Sequence, residues 1–261
     1  MYASSDIAHI IDTKDEWLRA SEGLFLTIIC RDYVTATGSE YAKHGLCRRI
    51  RALTHLTERI FSVISLGDSK SPSKRDLHDA EAFIQSFLLN VYGAIDNMAR
   101  IWCVETDLRN KKGLAIPDGM IGFGRKNLIV RESLPYEFRA YLIASDPWFE
   151  YLENYRHAVA HRIPVYIPPA TLSEQDAEKY AQIEAESQEA AQTGNWRQWD
   201  ELMARQRSLG KFQPLMTHSY GEKSRPVTIH GQIICDVATV VEIGRRLVAS
   251  LSESKNTRSN R

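Results

Sequence analysis

The sequence predicts an all-α fold, an up-down helical bundle, and three observations carry that prediction. Apolar residues recur every three or four positions along several long segments, which is the spacing that gathers them on one face of an α-helix. Glycine, proline and small polar residues cluster between those segments and separate them. Short alternating runs typical of strands lie between Pro214 and His230, on either side of 221–224, where one short β-hairpin would fit.

Four predicted helices fill the first half of the chain. The first begins at a capping box formed by Thr13 and Glu16, in which each side chain would satisfy a backbone N–H at the helix start. The third has the longest amphipathic pattern, about nine turns, which suits the spine of a bundle. The four segments cover about 13–35, 43–66, 74–106 and 135–143.

A fifth predicted helix begins at Asp146 as its N-cap, has Pro147 in its first position, and ends before Pro164. The last predicted helix covers about 231–251, and the polar tail 252–261 is expected to be disordered. These two helices would complete the bundle.

Between these last two helices the composition of the sequence changes. Residues 173–192 are polar nearly all round, and a break at 193–194 separates them from a second short helix. We interpret about 171–210 as a helical hairpin inserted into the bundle. The whole of 1–251 is therefore predicted to form a single helical domain.

Charge and cysteine content argue against some classes of protein. Thirty-three Lys and Arg residues balance 33 Asp and Glu residues, which argues against a nucleic-acid coat protein or a membrane-surface binder but leaves local basic patches open. The four cysteines form no CxxC pair, so we expect a reduced, cytoplasmic protein without a disulfide framework. The apolar run 24–30 is far shorter than the roughly 18 residues of a membrane span, so no membrane partner is expected.

Common motifs for cofactors and catalysis are absent from the sequence. It contains no GxGxxG fingerprint, no Walker-type loop, no GxSxG elbow and no HExxH zinc motif. The glycine-spaced stretch 119–124 follows no predicted strand, so we interpret it as a loop. No cofactor and no metal site are therefore predicted.

The densest group of reactive side chains lies at 154–162, at the end of the helix that begins at Asp146. At about 100° per residue, the core stripe of that helix, within about 40° of its first tryptophan, consists of Trp148, Leu152, Tyr155 and Val159. Arg156 lies about 80° from the tryptophan, whereas His157 and His161 lie at about 180° and 220° and would point away from the core. Histidine exchanges protons near neutral pH, so this outer face is a candidate catalytic site.

Two other interpretations of these residues stay open at the sequence level. Polar residues on the outer face of a helix are commonly just solvated, and Arg156 and His161 would then only cap the helix end. His157 and His161 also have the i, i+4 spacing of a zinc half-site, for which His218 and His230 are the only further candidates. The spacing alone therefore leaves a solvated face, a metal half-site and a catalytic site as alternatives.

The run RHAVAH at 156–161 resembles the R-x4–6-H motif of the HEPN superfamily, the higher eukaryotes and prokaryotes nucleotide-binding domains. In that family a polar residue typically follows the arginine directly, as His157 does here. The family fold is an all-α bundle with the motif late in one core helix. The resemblance covers about 74–165 and the C-terminal helix at about 231–251.

The same resemblance points to further polar positions. Asp96 and Asn97 lie in the long helix that resembles the family's earlier core helix, where an acidic or polar residue often faces the motif. Asn154, just ahead of the motif, is another supporting candidate. Ile163 is a departure, because HEPN toxins paired with nucleotidyltransferase antitoxins often have a tyrosine at that position. Regulation through that tyrosine is therefore not implied here.

Many HEPN proteins are metal-independent endoribonucleases that act as homodimers, and the resemblance implies that activity here. RNA would be cleaved by attack of the ribose 2′-hydroxyl at a site shared between two protomers. His161 would act as the general base or acid, and Arg156 would stabilise charge on the phosphate. His157 would position the phosphate or substitute in proton transfer. The resemblance implies a prokaryotic toxin or defence effector.

The partners implied are RNA, a second copy of the chain, and an antitoxin or regulatory protein. Four arginines are further candidates for contacts with RNA phosphates: Arg48, Arg49, Arg51 and Arg162. Some HEPN proteins serve only as binding scaffolds. The alternative function is therefore a non-enzymatic helical module that binds RNA, a nucleotide or another protein.

Overall fold

A computed structural model describes residues 2–67, 72–219 and 224–259, and it confirms the all-α prediction. The helices are α1 Ser4–Ile29, α2 Ala36–Glu40, α3 Cys47–Val63, α4 Lys74–Glu105, α5 Leu128–Ser133, α6 Tyr136–Ala144, α7 Asp146–His161, α8 Glu174–Gln192, α9 Trp196–Arg207 and α10 Ile229–Ser259. A π-helical segment, Tyr41–Leu46, joins α2 to α3, and a 3-10 turn occupies Asp118–Met120. None of the helices in the described residues combines the length and the apolar character that crossing a membrane requires.

The predicted β-hairpin is present as two short antiparallel strands. Strand β1 is Leu215–Met216 and strand β2 is Val227–Thr228, with Leu215 opposite Thr228. The predicted turn at 221–224 falls mostly outside the described residues. The hairpin leads directly into α10, so it fixes where the last helix starts.

Helix α1 begins nine residues earlier than the capping box at Thr13 predicts. The Thr13 hydroxyl donates to the carbonyl oxygen of His9 at 2.7 Å, one turn back within the helix, and so it caps nothing. A threonine that bonds the carbonyl four residues earlier is compatible with a helix interior. Because no glycine or proline interrupts 4–13, the helix extends through the predicted start.

Helix α4 forms the spine of the bundle, as predicted. Its start is a capping box in which the Ser73 hydroxyl accepts from the backbone N–H of Asp76, and the Asp76 carboxylate accepts from the backbone N–H of Ser73. At its other end the buried Glu105 carboxylate accepts from the backbone N–H groups of Val34 (2.8 Å) and Thr35 (2.9 Å), ahead of α2. Helices α3, α7 and α10 all pack against this spine.

The ends of α7 and α10 differ from the predictions. Asp146 is the first residue of α7 rather than its side-chain cap, and its carboxylate accepts a hydrogen bond from the buried Arg131 at 2.6 Å. Pro147 lies in the first turn, as predicted. Helix α10 continues past the predicted end at Leu251 to Ser259, so 252–259 are helical rather than disordered. Those residues contain no glycine or proline that would stop a helix.

Helices α8 and α9 pack on each other and share a small apolar cluster of their own. The cluster contains Ile183, Ala190, Trp199, Leu202 and Leu209 and is distinct from the main core. The chain enters and leaves this hairpin side by side, because Thr171 and Lys211 exchange backbone hydrogen bonds at 2.9 and 3.0 Å. The interpretation of 171–210 as an insertion stays a prediction.

Candidate functional site

Helix α7 is anchored on its inner face by two hydrogen-bonding side chains, the buried Tyr155 and the partly buried Trp148. The hydroxyl of Tyr155 donates to the carbonyl oxygens of Met216 (3.2 Å) and Arg225 (2.8 Å), on either side of the hairpin turn. The indole N–H of Trp148 donates to the Asp236 carboxylate of α10 at 2.8 Å. These contacts determine the rotation of α7 about its axis, and therefore which side chains it exposes.

The buried stripe of α7 is wider than the wheel predicts. The buried residues are Phe149, Leu152, Tyr155 and Ala158. Trp148 and Val159, which were predicted for the stripe, are only partly buried and pack against its edges. The difference arises because α7 packs against α4 on one side and lies against the hairpin and α10 on another, so a broad face is covered.

His157 and His161 lie on the outer face of α7, pointing away from the core as the wheel predicts. His161 is exposed, and the side chain of His157 is 44% exposed. Their ring centroids are 6.1 Å apart with the planes inclined at 44°. The Nε2 atom of His157 is 3.6 Å from Oε1 of Glu153, one turn earlier on the helix. The two rings are therefore accessible together to a ligand from solution.

Arg156 has a different environment from the two histidines. Its guanidinium carbon lies 4.8 Å from the centroid of the Tyr92 ring on α4, within the range of a cation–π contact. Arg156 is partly buried between α7 and α4. Sequence reasoning missed Tyr92, because no local pattern tells which aromatic residue of one helix will contact an arginine of another.

Glu153 connects the histidine face to the loop before α5. The Lys126 ammonium donates to Oε1 of Glu153, and this hydrogen bond lowers the pKa of the carboxyl group and raises the pKa of Lys126. Sequence reasoning also missed Glu153, although its spacing of four residues from His157 was a usable signal. Glu153 thus lies between a fixed cation and an exposed histidine.

The structure separates the two polar candidates on α4. The Asp96 carboxylate accepts from Nε of Arg100 at 3.0 Å, and Asp96 lies one turn from Tyr92 on the side near α7. Asn97 is buried and accepts from Nε of Arg49 of α3 at 3.1 Å. The expectation that Asn97 faces the motif is therefore wrong, since α3 occupies that side of the spine.

The four arginines suggested for RNA contacts have different surroundings. Arg49 packs closely on Gly93, where an added Cβ would come within 2.2 Å of the guanidinium carbon, so Arg49 fastens α3 to α4. Arg48 is exposed, and Arg51 lies 5.1 Å from the Phe25 ring centroid. Arg162 donates to the carbonyl (2.8 Å) and side-chain (2.7 Å) oxygens of Asn154, which lies on a side of α7 that faces away from the core. Of these four arginines, only Arg162 lies next to the motif helix.

Two concave surfaces meet along α7. The first is an open depression whose walls include Glu150, Glu153, Asn154, His157, His161 and Arg162. The second is a pocket of about 220 Å³ between α4, α7 and the loop of 118–127. Glu150 and Glu153 line both surfaces, so the two are adjacent.

The zinc alternative requires His218 or His230 beside the histidine pair, and both are buried elsewhere. His230 is buried, its Nε2 lies 2.7 Å from the carbonyl oxygen of Ile64, and burial lowers its pKa. His218 is buried on the inner side of α7, with its ring 5.2 Å from that of Tyr155. Within 2–67, 72–219 and 224–259, no three His, Cys, Asp or Glu side chains are grouped so that they could hold a metal ion.

No protein-family model, no curated protein and no solved structure matches this chain.

Proposed function

We propose that this chain is a metal-independent endoribonuclease of HEPN type that acts as a homodimer. The observation that carries the proposal is the exposed pair His157 and His161, which shares the last two turns of α7 with a partly buried arginine, Arg156. Histidine supplies acid–base groups and arginine supplies a fixed cation, which together are the groups that RNA cleavage without a metal requires.

Two copies of the chain are needed because of helix geometry. Arg156 and His161 are about 140° apart around α7 and about 7.5 Å apart along its axis, so one protomer cannot easily aim both at the same atom. A two-fold dimer that brings two α7 helices together would place the arginine of one copy near the histidine of the other. The exposure of His161 leaves it accessible to such a partner.

The reaction follows from these groups. His161 takes the proton of a ribose 2′-hydroxyl, and the resulting oxygen attacks the adjacent phosphorus. The bond from phosphorus to the 5′-oxygen breaks, and that oxygen takes a proton from the protonated His161 of the second copy. Arg156 stabilises the charge that develops on the phosphate, while His157 holds the phosphate in position. The products are a 2′,3′-cyclic phosphate and a 5′-hydroxyl.

The test is cleavage of mixed cellular RNA by the purified protein in EDTA. We expect cleavage by the native protein and by His55→Ala, which removes an exposed helical histidine outside the site. We expect His161→Ala to lose cleavage by at least about 100-fold, the typical contribution of a general acid or base. Equal cleavage by His161→Ala, or RNA ends without a cyclic phosphate, would reject the mechanism.

A second function is favoured by the contact between Arg156 and Tyr92. An arginine that packs on a neighbouring helix can serve structure alone, and the protein would then be a non-enzymatic module that binds RNA, a nucleotide or another protein. RNA that binds in a gel-shift assay but is not cleaved by the dimeric protein would support this alternative.

The resemblance also implies the biological setting. We propose that the protein is a cytoplasmic toxin or defence effector of a prokaryote whose activity an antitoxin or regulatory protein controls. The free cysteines of the chain are compatible with a reducing compartment.

A further inference from the structure

The pocket beside the motif is limited in size and is lined by both apolar and polar side chains. Its volume is about 220 Å³. It is smaller than the roughly 300–1,000 Å³ of sites for drug-sized ligands, and therefore suits a single ring system. Its apolar walls come from α4, from α7 and from the loop before α5, and they are Tyr92, Ile95, Ile121, Phe123, Phe149 and Leu152.

The loop that closes the pocket is held in place by hydrogen bonds. The side-chain amide of Asn127 donates to the carbonyl oxygen of Met120 at 2.9 Å, and Nε of Arg131 donates to the carbonyl oxygen of Phe123 at 2.7 Å. Gly122 packs against Asn127 so closely that an added Cβ would lie 2.8 Å from Oδ1. The pocket is therefore preformed, and a ligand would not have to order the loop.

Carboxylates surround the mouth of the pocket, and cations pair with them. The pairs are Asp96 and Asp118 with Arg100, Glu150 with Arg125, and Glu153 with Lys126. The four carboxylates outnumber the three cations that pair with them, so the mouth offers a phosphate no net positive charge. A neutral ring that carries N–H donors would instead find acceptor oxygens at the mouth, since each carboxylate oxygen accepts more than one hydrogen bond.

We propose that this pocket binds one base of the RNA. The base carries an exocyclic amino group, and guanine is the one expected to bind best. Guanine can present its N1–H and its amino group side by side to the two oxygens of one carboxylate, whereas uracil has no amino group. Glu153 lines both the pocket and the histidine depression, so a base in the pocket would place its phosphate towards His157 and His161. That the bound base belongs to an RNA substrate rests on the proposed function.

The first test measures binding of the four free nucleosides to the intact protein by calorimetry or ligand-observed NMR. Guanosine should bind at least about tenfold more tightly than uridine, which is the lower range for a two-bond discrimination between bases. Ile121→Trp, which fills the pocket, should abolish guanosine binding. Ile143→Trp, on the exposed face of α6, is the matched control and should leave binding unchanged.

The outcomes separate this proposal from the nuclease itself. Guanosine binding that Ile121→Trp removes supports the pocket even when the protein cleaves no RNA. Equal binding of uridine and guanosine, or guanosine binding that survives in a folded Ile121→Trp protein, overturns the proposal that the pocket binds a base, even when RNA is cleaved. Circular dichroism and the melting temperature of both tryptophan variants establish that they are folded.

Discussion

The inner and outer faces of α7 are held by different kinds of contact. On the inner face Tyr155 is buried and hydrogen-bonded to two backbone carbonyls, and Trp148 is hydrogen-bonded to the carboxylate of Asp236. On the outer face the rings of His157 and His161 lie with their centroids 6.1 Å apart, and both are accessible to solvent. Because the buried hydrogen bonds of α7 lie on its inner face, substitutions on the two faces should separate stability from activity.

The largest expected effect follows from removing the inner anchor. Tyr155→Ala should lower the free energy of unfolding by about 3–5 kcal/mol, as for other buried aromatic residues cut to alanine. Tyr155→Phe keeps the ring and loses only the bonds to the two carbonyls, so about 1–2 kcal/mol should be lost. Urea unfolding measures both values. A loss below about 1 kcal/mol for Tyr155→Ala would show that α7 is held by other contacts.

The second prediction concerns the buried carboxyl group that α7 contacts on α10. Complete burial raises the pKa of Asp236 to about 7, against the lowering effect of hydrogen bonds from Trp148, Gln232 and Tyr151. In the unfolded chain the pKa is about 3.9. The folded protein therefore holds a proton that the unfolded chain has lost between about pH 4 and 7, and stability should fall as the pH rises through that window.

Asp236→Asn should remove this dependence, because asparagine resembles the protonated acid and does not ionise. Above pH 7 the variant should be more stable than the native protein by up to about 4 kcal/mol, from about three pKa units at 1.36 kcal/mol each. Urea unfolding at pH 5 and pH 8 measures the difference. Asp79→Asn, which removes an exposed charge, is the control. If Asp236→Asn kept the same pH dependence of stability as the native protein, the prediction would be wrong.

The smallest expected effects on stability come from the motif. Arg156→Ala should lower the free energy of unfolding by about 1 kcal/mol, since it removes the partly buried cation–π contact with Tyr92. His161→Ala should change it by less than about 0.5 kcal/mol, as for other exposed positions. Thermal unfolding compares the two variants. A larger loss of stability for His161→Ala than for Arg156→Ala would contradict this prediction.

The parts of the fold that the sequence predicted are those encoded by local spacing. The spine helix α4 begins at its capping box and ends within one residue of the predicted end, because its apolar pattern and its cap agree. The capping box at Thr13 failed because the same residue pair also fits the interior of a longer helix. No glycine or proline interrupts 4–13, so the helix extends through the predicted start.

The candidate site was only partly predictable. The wheel placed His157 and His161 on the outer face correctly, because rotation around one helix depends on spacing alone. The partners Tyr92, Glu153 and Lys126 were missed, since two of them lie on other elements of the chain. Contacts between elements depend on how the helices pack, which no single segment contains.

The sequence by itself determined the helical class, the position of the short hairpin and the outward direction of both histidines. Each of these depends on periodicity or on turn chemistry within a few residues. Only the tertiary structure decided that Arg156 packs on Tyr92, that Asn97 faces Arg49, and that a glycine loop forms the wall of a pocket. Those features require residues far apart in the chain to meet, and it is the burial of apolar faces around α4 that brings them together.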